Sequence, residues 1–137
     1  MGEWLEINYL ENKMAKAKKA YIYISGNKNN KVYISGNTCY EVSKKIPGIY
    51  SFDEAKRIIE TVLGKDWRLP NKDELNIIYT NLKCTGQIED KDWYLSSSDE
   101  DNSTAWCQRF SNGYQDIYDK YSLGSVRAVR IIRRYKK

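Results

Sequence analysis

The apolar positions change their period along this chain. Residues 1–20 are polar and lysine-rich, and Trp4, Leu5, Ile7 and Leu10 form a weakly periodic set that fits a short packed segment, strand or helix. A short repeat follows: Tyr23-Ile24-Ser25-Gly26-Asn27 recurs ten residues later as Tyr33-Ile34-Ser35-Gly36-Asn37. Each copy ends a β-prone run on the turn pair Gly-Asn, with Lys28-Asn29-Asn30-Lys31 between them, so an N-terminal β-hairpin is expected. Two copies are too few for a solenoid.

A helical period then takes over. Ser51 and Glu54 have capping-box spacing, and Phe52, Ala55, Ile58, Ile59, Val62 and Leu63 share one helical face up to Gly64. A second helix follows Pro70, with Asn71 as N-cap, Glu74 three residues on, and Leu75, Ile78, Tyr79 and Leu82 as its buried stripe. From Cys84 onward the pattern becomes short β segments: Trp93–Ser96, Ala105–Phe110, Gln115–Lys120 and Ser125–Ile132, with Asn112-Gly113 as a hairpin turn. Trp106 and Phe110 should share a strand face.

Several short segments carry a family resemblance. Asp66-Trp67-Arg68-Leu69-Pro70-Asn71-Lys72-Asp73-Glu74-Leu75 comes first. Tyr94-Leu95-Ser96-Ser97-Ser98, Ala105-Trp106, Phe110-Ser111-Asn112-Gly113 and Val126-Arg127-Ala128-Val129-Arg130 follow in order. Their order and spacing, over about Ser51 to Ile132, resemble the bacterial and phage C-type-lectin-like domains grouped with the C-terminal domain of collagen-like adhesins. The resemblance implies an α+β, C-type-lectin-like fold: N-terminal β-hairpin, two helices, then a loop-rich antiparallel β half. It also implies a recognition scaffold rather than an enzyme. Leu95 stands where the family has Trp. Trp93, two places earlier on the same strand face, could make up the core contact. The expected organisation is a lysine-rich segment at 1–20, one domain at 21–132 and a basic tail at 133–137.

In physical terms the first motif reads as structural: Trp67 and Leu69 as core, Pro70 setting the helix approach, Asn71 and Glu74 satisfying free amides. Arg127 and Arg130 are expected on opposite strand faces, at least one anchored by a carboxylate or carbonyl.

Composition narrows the chemistry. At 137 residues the chain fits one domain with a core that needs neither disulfides nor metal. It has no histidine, which removes the commonest general base, the usual triads and most transition-metal sites. Cys39, Cys84 and Cys107 are odd in number and lack CxxC spacing, so reduced thiols are expected. A related branch of the resembling fold contains formylglycine-generating oxidases that use a reactive cysteine pair; Cys107 has no partner motif and reads as an inert thiol. Asp99-Glu100-Asp101-Asn102 offers hard oxygens for Ca²⁺ but reads as a solvated turn, and the EPN, QPD and WND elements of calcium-dependent sugar-binding lectins are absent. No cofactor, metal or catalytic residue is assigned.

Twelve tyrosines and four tryptophans against two phenylalanines suit either a contact surface or half-exposed strands. For partner binding the expected residues are Ser98, Asp99, Asn102, Arg109, Asn112, Tyr114, Tyr118 and Tyr121, within the loop-rich stretch Ser96–Tyr121. The net charge of +5 is concentrated at the ends. Arg133, Arg134, Lys136 and Lys137 are the candidates for an anion. The leading expectation is a noncatalytic module binding a protein partner, or a glycan, through its C-terminal loops. A phage-encoded inhibitor of a host or defence protein fits these features. The alternative is nucleic-acid association through the basic ends. No apolar run reaches membrane-spanning length, and no signal peptide is evident at Met1, so a cytoplasmic or phage-particle location is expected.

Overall fold

The computed structural model describes residues 2–25, 31–35, 38–84 and 92–134. Helix α1 (Gly2–Ser25) precedes strands β1 (Lys31–Ser35), β2 (Thr38–Val42) and β3 (Ile46–Tyr50). Helices α2 (Phe52–Leu63) and α3 (Lys72–Cys84) follow, then β4 (Trp93–Asp99), β5 (Thr104–Arg109), β6 (Gln115–Asp119), β7 (Gly124–Val126) and β8 (Val129–Arg134). The arrangement is α+β and consistent with a lectin-like fold. No helix among the described residues is long and apolar enough to cross a membrane.

The described strands form a five-stranded sheet, β3-β7-β4-β5-β6, and a three-stranded sheet, β1-β2-β8. Because side chains alternate along a strand, the larger sheet has two apolar faces. Leu95, Ala105, Cys107 and Val126 join Ala55, Ile58 and Ile59 of α2 in one core. Tyr94 and Phe110 join Leu75, Ile78, Tyr79 and Leu82 of α3 in the other.

Both central helices begin on the capping boxes read from the sequence. Ser51 Oγ accepts the Glu54 N–H at 3.3 Å while Glu54 Oε1 accepts the Ser51 N–H at 3.1 Å. Asn71 Oδ1 accepts the Glu74 N–H at 2.8 Å, and Glu74 Oε1 accepts the Asn71 N–H at 2.9 Å. Glu74 has a second task, since the Arg68 guanidinium grips both its oxygens at 2.6 and 2.8 Å. Arg68 also exchanges two backbone hydrogen bonds with Val129, at 3.0 and 2.9 Å. The segment after α2 is thereby stitched to the start of β8. Trp67, Leu69 and Pro70 are buried around it, and the Arg130 guanidinium lies 4.9 Å from the Trp67 ring.

The structure corrects the sequence reading at three places. First, Tyr21–Ser25 is helical, the end of α1, and not the first strand of a hairpin. Met14, Ala17 and Tyr21 fall at helical spacing and pack on the α2 core, so tertiary burial overrides the β propensity of Tyr-Ile-Tyr-Ile. Lys13 reinforces this docking: its ammonium donates to the Ile49 carbonyl at 2.9 Å and sits 4.6 Å from the Tyr50 ring. The hairpin is made instead by β1 and β2, with Ser35 opposite Thr38. Its Gly36-Asn37 connection, like Gly26-Asn27, lies outside the described residues.

Second, Ser125–Ile132 is two strands in different sheets, broken at Arg127-Ala128. Ser43, between β2 and β3, holds the break: it donates its N–H to the Ala128 carbonyl, and its Oγ accepts the Ala128 N–H. Third, β4 and β7 pair in parallel at Tyr94 and Ser125, so the β half is mixed rather than wholly antiparallel. The chain leaves edge strand β6, crosses back and enters β7 beyond β4 in the same direction.

The Asn112-Gly113 turn forms as expected. Gly113 has φ +81°, and a Cβ there would lie 2.5 Å from the Tyr79 ring, so only glycine closes this turn against α3.

The Arg68–Glu74 pair yields a test. Burial raises the Glu74 pKa, but the Arg68 hydrogen bonds and the Asn71 N–H outweigh it and hold it below the ordinary value. Its stabilisation is therefore complete above the unfolded carboxyl pKa and lost as pH falls through the folded one. Glu74→Gln should cost about 2 kcal/mol at pH 7 in urea unfolding. That is less than the roughly 3–5 kcal/mol for breaking a fully buried pair, because the Arg68 side chain stays 45% exposed. The difference between variant and wild type should shrink below about pH 4.

Candidate functional site

An aromatic-rimmed concave surface lies on the α2 side of the larger sheet, over β4 and β5. A cavity of about 160 Å³ opens there, lined by Phe52, Trp93, Leu95, Cys107, Tyr118, Ser122 and Leu123. Three elements build it. The strands β4 and β5 supply the floor, with Leu95 directly opposite Cys107. Phe52 contributes from the first turn of α2. The crossover Lys120–Leu123 arches above, tied by the Lys120 N–H to Ser103 O at 2.9 Å and by the Phe52 N–H to Lys120 O at 3.2 Å. Gly124 ends the arch because a Cβ there would lie 2.6 Å from the Leu95 side chain.

Aromatic rings form the open rim. Trp93 meets Tyr118 edge-on at 5.0 Å and Tyr114 at 6.3 Å. Tyr114 is 57% exposed, Tyr118 38% and Leu123 55%. Trp93 and Leu95 share a strand face and belong to one apolar cluster, as the replacement of Trp by Leu at position 95 suggested. Arg109 pairs across with Trp93, and its N–H bonds to the Tyr114 carbonyl at 2.8 Å, which places it between these two aromatics on the same face.

The residues expected to bind a partner do not form one patch. Arg109, Tyr114 and Tyr118 come together around Trp93. Asp99, the last residue of β4, and Asn102, in the β4–β5 turn, lie at the far end of β4 from Trp93, and Asp99 pairs with Lys120 at 3.2 Å. Tyr121, 86% exposed, extends from the arch. Asn112 sits in the β5–β6 turn, and its Oδ1 accepts the Tyr114 N–H at 3.0 Å. Ser98 is taken up by the scaffold: its Oγ accepts the Lys72 N–H at 2.8 Å. Arg133 and Arg134 lie at the end of β8, opposite Cys39 and Thr38. Lys136 and Lys137 lie outside the described residues.

The acidic turn is internally satisfied. Asp101 Oδ1 accepts the Ser103 and Thr104 N–H groups at 2.8 and 2.9 Å, which hold its carboxyl below the ordinary value. Among the described residues no cluster of metal-ligating side chains occurs. Arg127 and Arg130 are both anchored: Arg130 on Glu41 at 2.9 Å, and Arg127 on the Ser43 carbonyl at 3.2 Å and over the Tyr94 ring.

Phe52, Trp93, Ser122 and Leu123 were missing from the expected binding set. Leu123 did carry a signal, an apolar side chain inside the polar run Asp119–Ser125, whereas Phe52 and Trp93 read as core. Cys107 lines the cavity, but burial and the neighbouring Asp116 push its thiol up to about 12.

The family model described as the Lcl C-terminal domain matches residues 28–130, so α1 precedes the matched region and the whole cavity lies within it. No curated protein matches the chain. The chain belongs to the Lcl C-terminal domain family, whose members are lectin-like binding domains.

Proposed function

We propose that this chain is a noncatalytic recognition module that binds a protein partner through the aromatic face of β4, β5 and β6. The observation that carries the reading is the row of half-exposed aromatics beside a small apolar cavity. Tryptophan, tyrosine and arginine are the side chains that dominate protein interfaces, and they act around pockets that exclude water. Size argues for a protein over a free small ligand. Small-molecule pockets span roughly 300–1,000 Å³, while this cavity holds about 160 Å³, room for one inserted side chain. The tyrosine rims bring large contact area at little entropic cost, since each has only two side-chain torsions to fix.

The same geometry disfavours nucleophilic chemistry at Cys107. A thiol held at about 12 is ionised in roughly one molecule in ten thousand at pH 8. At that pH a disulfide reagent should modify exposed Cys84 rapidly in the folded protein. Cys107 should react only on unfolding; fast modification of native Cys107, mapped by mass spectrometry, would contradict the assignment.

The binding reading is tested by affinity capture from the source cell's lysate, after nuclease and at two salt concentrations. Wild type is compared with Leu123→Asp and Tyr118→Ala. A protein held by wild type and lost by both variants is expected, with Tyr118→Ala weakening its measured affinity by about 2 kcal/mol, roughly thirtyfold. Recovery of only polysaccharide, or only nucleic acid lost at high salt, would overturn it.

A further inference from the structure

We infer that the partner presents a carboxylate next to the side chain it inserts, and that Arg109 receives it. This rests on the docking face proposed above and adds the charge that face selects. Arg109 is exposed between Trp93 and Tyr114, in direct register with Trp93 across β4 and β5. Arg68, Arg127 and Arg130 each have a defined role: Arg68 grips Glu74, Arg130 grips Glu41, and Arg127 donates to the Ser43 carbonyl. Nearby Lys45 is engaged by Asp92 at 2.8 Å, and Lys120 by Asp99. Among the described residues no ion pair or side-chain hydrogen bond engages the Arg109 guanidinium. Asp92, beside Trp93, is taken by Lys45, and Asp116, opposite Cys107 on the same sheet face, accepts the Ile117 N–H on its Oδ1 at 2.8 Å without pairing with Arg109.

That arrangement turns exposure into specificity. In the free protein water solvates Arg109 and its charge costs nothing. A partner that covers Trp93 and Tyr114 strips that water, and the guanidinium then needs a counter-charge within reach. A carboxylate supplies it with matching geometry, two parallel hydrogen bonds to one planar fork. The flanking rings exclude water from the pair and so strengthen it. An uncharged partner leaves Arg109 desolvated and unpaired, and a basic one is repelled. The occupant is thus a protein segment with a large apolar anchor for the cavity and an Asp, Glu or terminal carboxylate within a residue or two of it.

Selection from a phage-displayed library of random peptides tests both layers, using the full chain as bait. Wild type should enrich peptides that combine a large apolar residue with a nearby acid, by roughly tenfold over the library for the acid alone. Arg109→Gln should keep the apolar anchor and lose the acid. Arg109→Glu should replace the acid with Lys or Arg. Arg109 is exposed, so both variants should keep the wild-type circular dichroism spectrum and melting temperature. An apolar anchor with no acidic preference, or an acidic preference that survives both Arg109 variants, overturns the role of Arg109 and leaves the docking face standing. No enrichment, or peptides retained equally by Leu123→Asp, overturns both.

Discussion

The fold depends on one junction, where Arg68 joins three parts of the chain. Its backbone pairs with Val129, its guanidinium holds Glu74, and Glu74 in turn caps α3 through Asn71. Glu74 is buried, so its charge is tolerable only because donors surround it. The helix start, the loop after α2 and the entrance to β8 therefore form or fail together. A second crossing lies beside it, where Ser43 and Ala128 exchange hydrogen bonds. There the chain passes from the small sheet to the large one through β2 and β3, and back through β7 and β8. Buried backbone groups at a sheet change have no ladder to satisfy them, and these paired segments satisfy each other.

This junction also explains where the open face lies. With α3 fixed over Tyr94 and Phe110, one side of the larger sheet is covered along its central strands. The other side receives α2, whose 12 residues span only about 18 Å. The docking of α1 extends that cover beside β3 rather than toward β6. Over β5 and β6 the cover among the described residues is the Lys120–Leu123 arch, and a four-residue arch leaves the Trp93, Tyr114 and Tyr118 rings half in water. The candidate site is the part of a two-faced sheet that none of the three described helices covers.

Much of this was legible in the residue pattern, and the failures share a cause. Both capping boxes, the α2 and α3 stripes and the Asn112-Gly113 turn are local, so neighbouring residues determine them. The five letters Tyr-Ile-Ser-Gly-Asn, by contrast, occur twice with different outcomes. In the first copy Tyr-Ile-Ser ends α1; in the second it ends β1. Nothing within the repeat separates the two. The difference lies upstream, where Met14 and Ala17 place Tyr21 on a helical stripe against α2. The candidate site was half legible for the same reason: exposed Tyr114, Tyr118 and Arg109 could be named, but it takes strand register to bring Arg109 and Tyr114 to Trp93, and a ring contact to bring Tyr118. Asp99 and Asn102, near in sequence, fall at the other end of the strands.

The division of labour among these residues has a physical consequence for recognition. The motif residues Trp67, Arg68, Leu69, Asn71, Glu74, Val126, Arg127 and Arg130 are committed to burial, capping or pairing, and changing them disturbs the scaffold. Among the described residues Arg109, Tyr121 and Leu123 supply no side-chain hydrogen bond to it, and Tyr114 contributes mainly its ring contact with Trp93. Exchanges at such exposed positions usually alter stability by less than about 0.5 kcal/mol. They would, however, change the apolar area, the hydrogen-bonding groups and the charge that a partner meets. The face can thus be rewritten without reopening the Arg68–Glu74 junction, whose hydrogen bonds run to Asn71 and Val129 and to none of these exposed side chains. A scaffold so partitioned fixes where binding occurs while leaving what is bound to a handful of side chains.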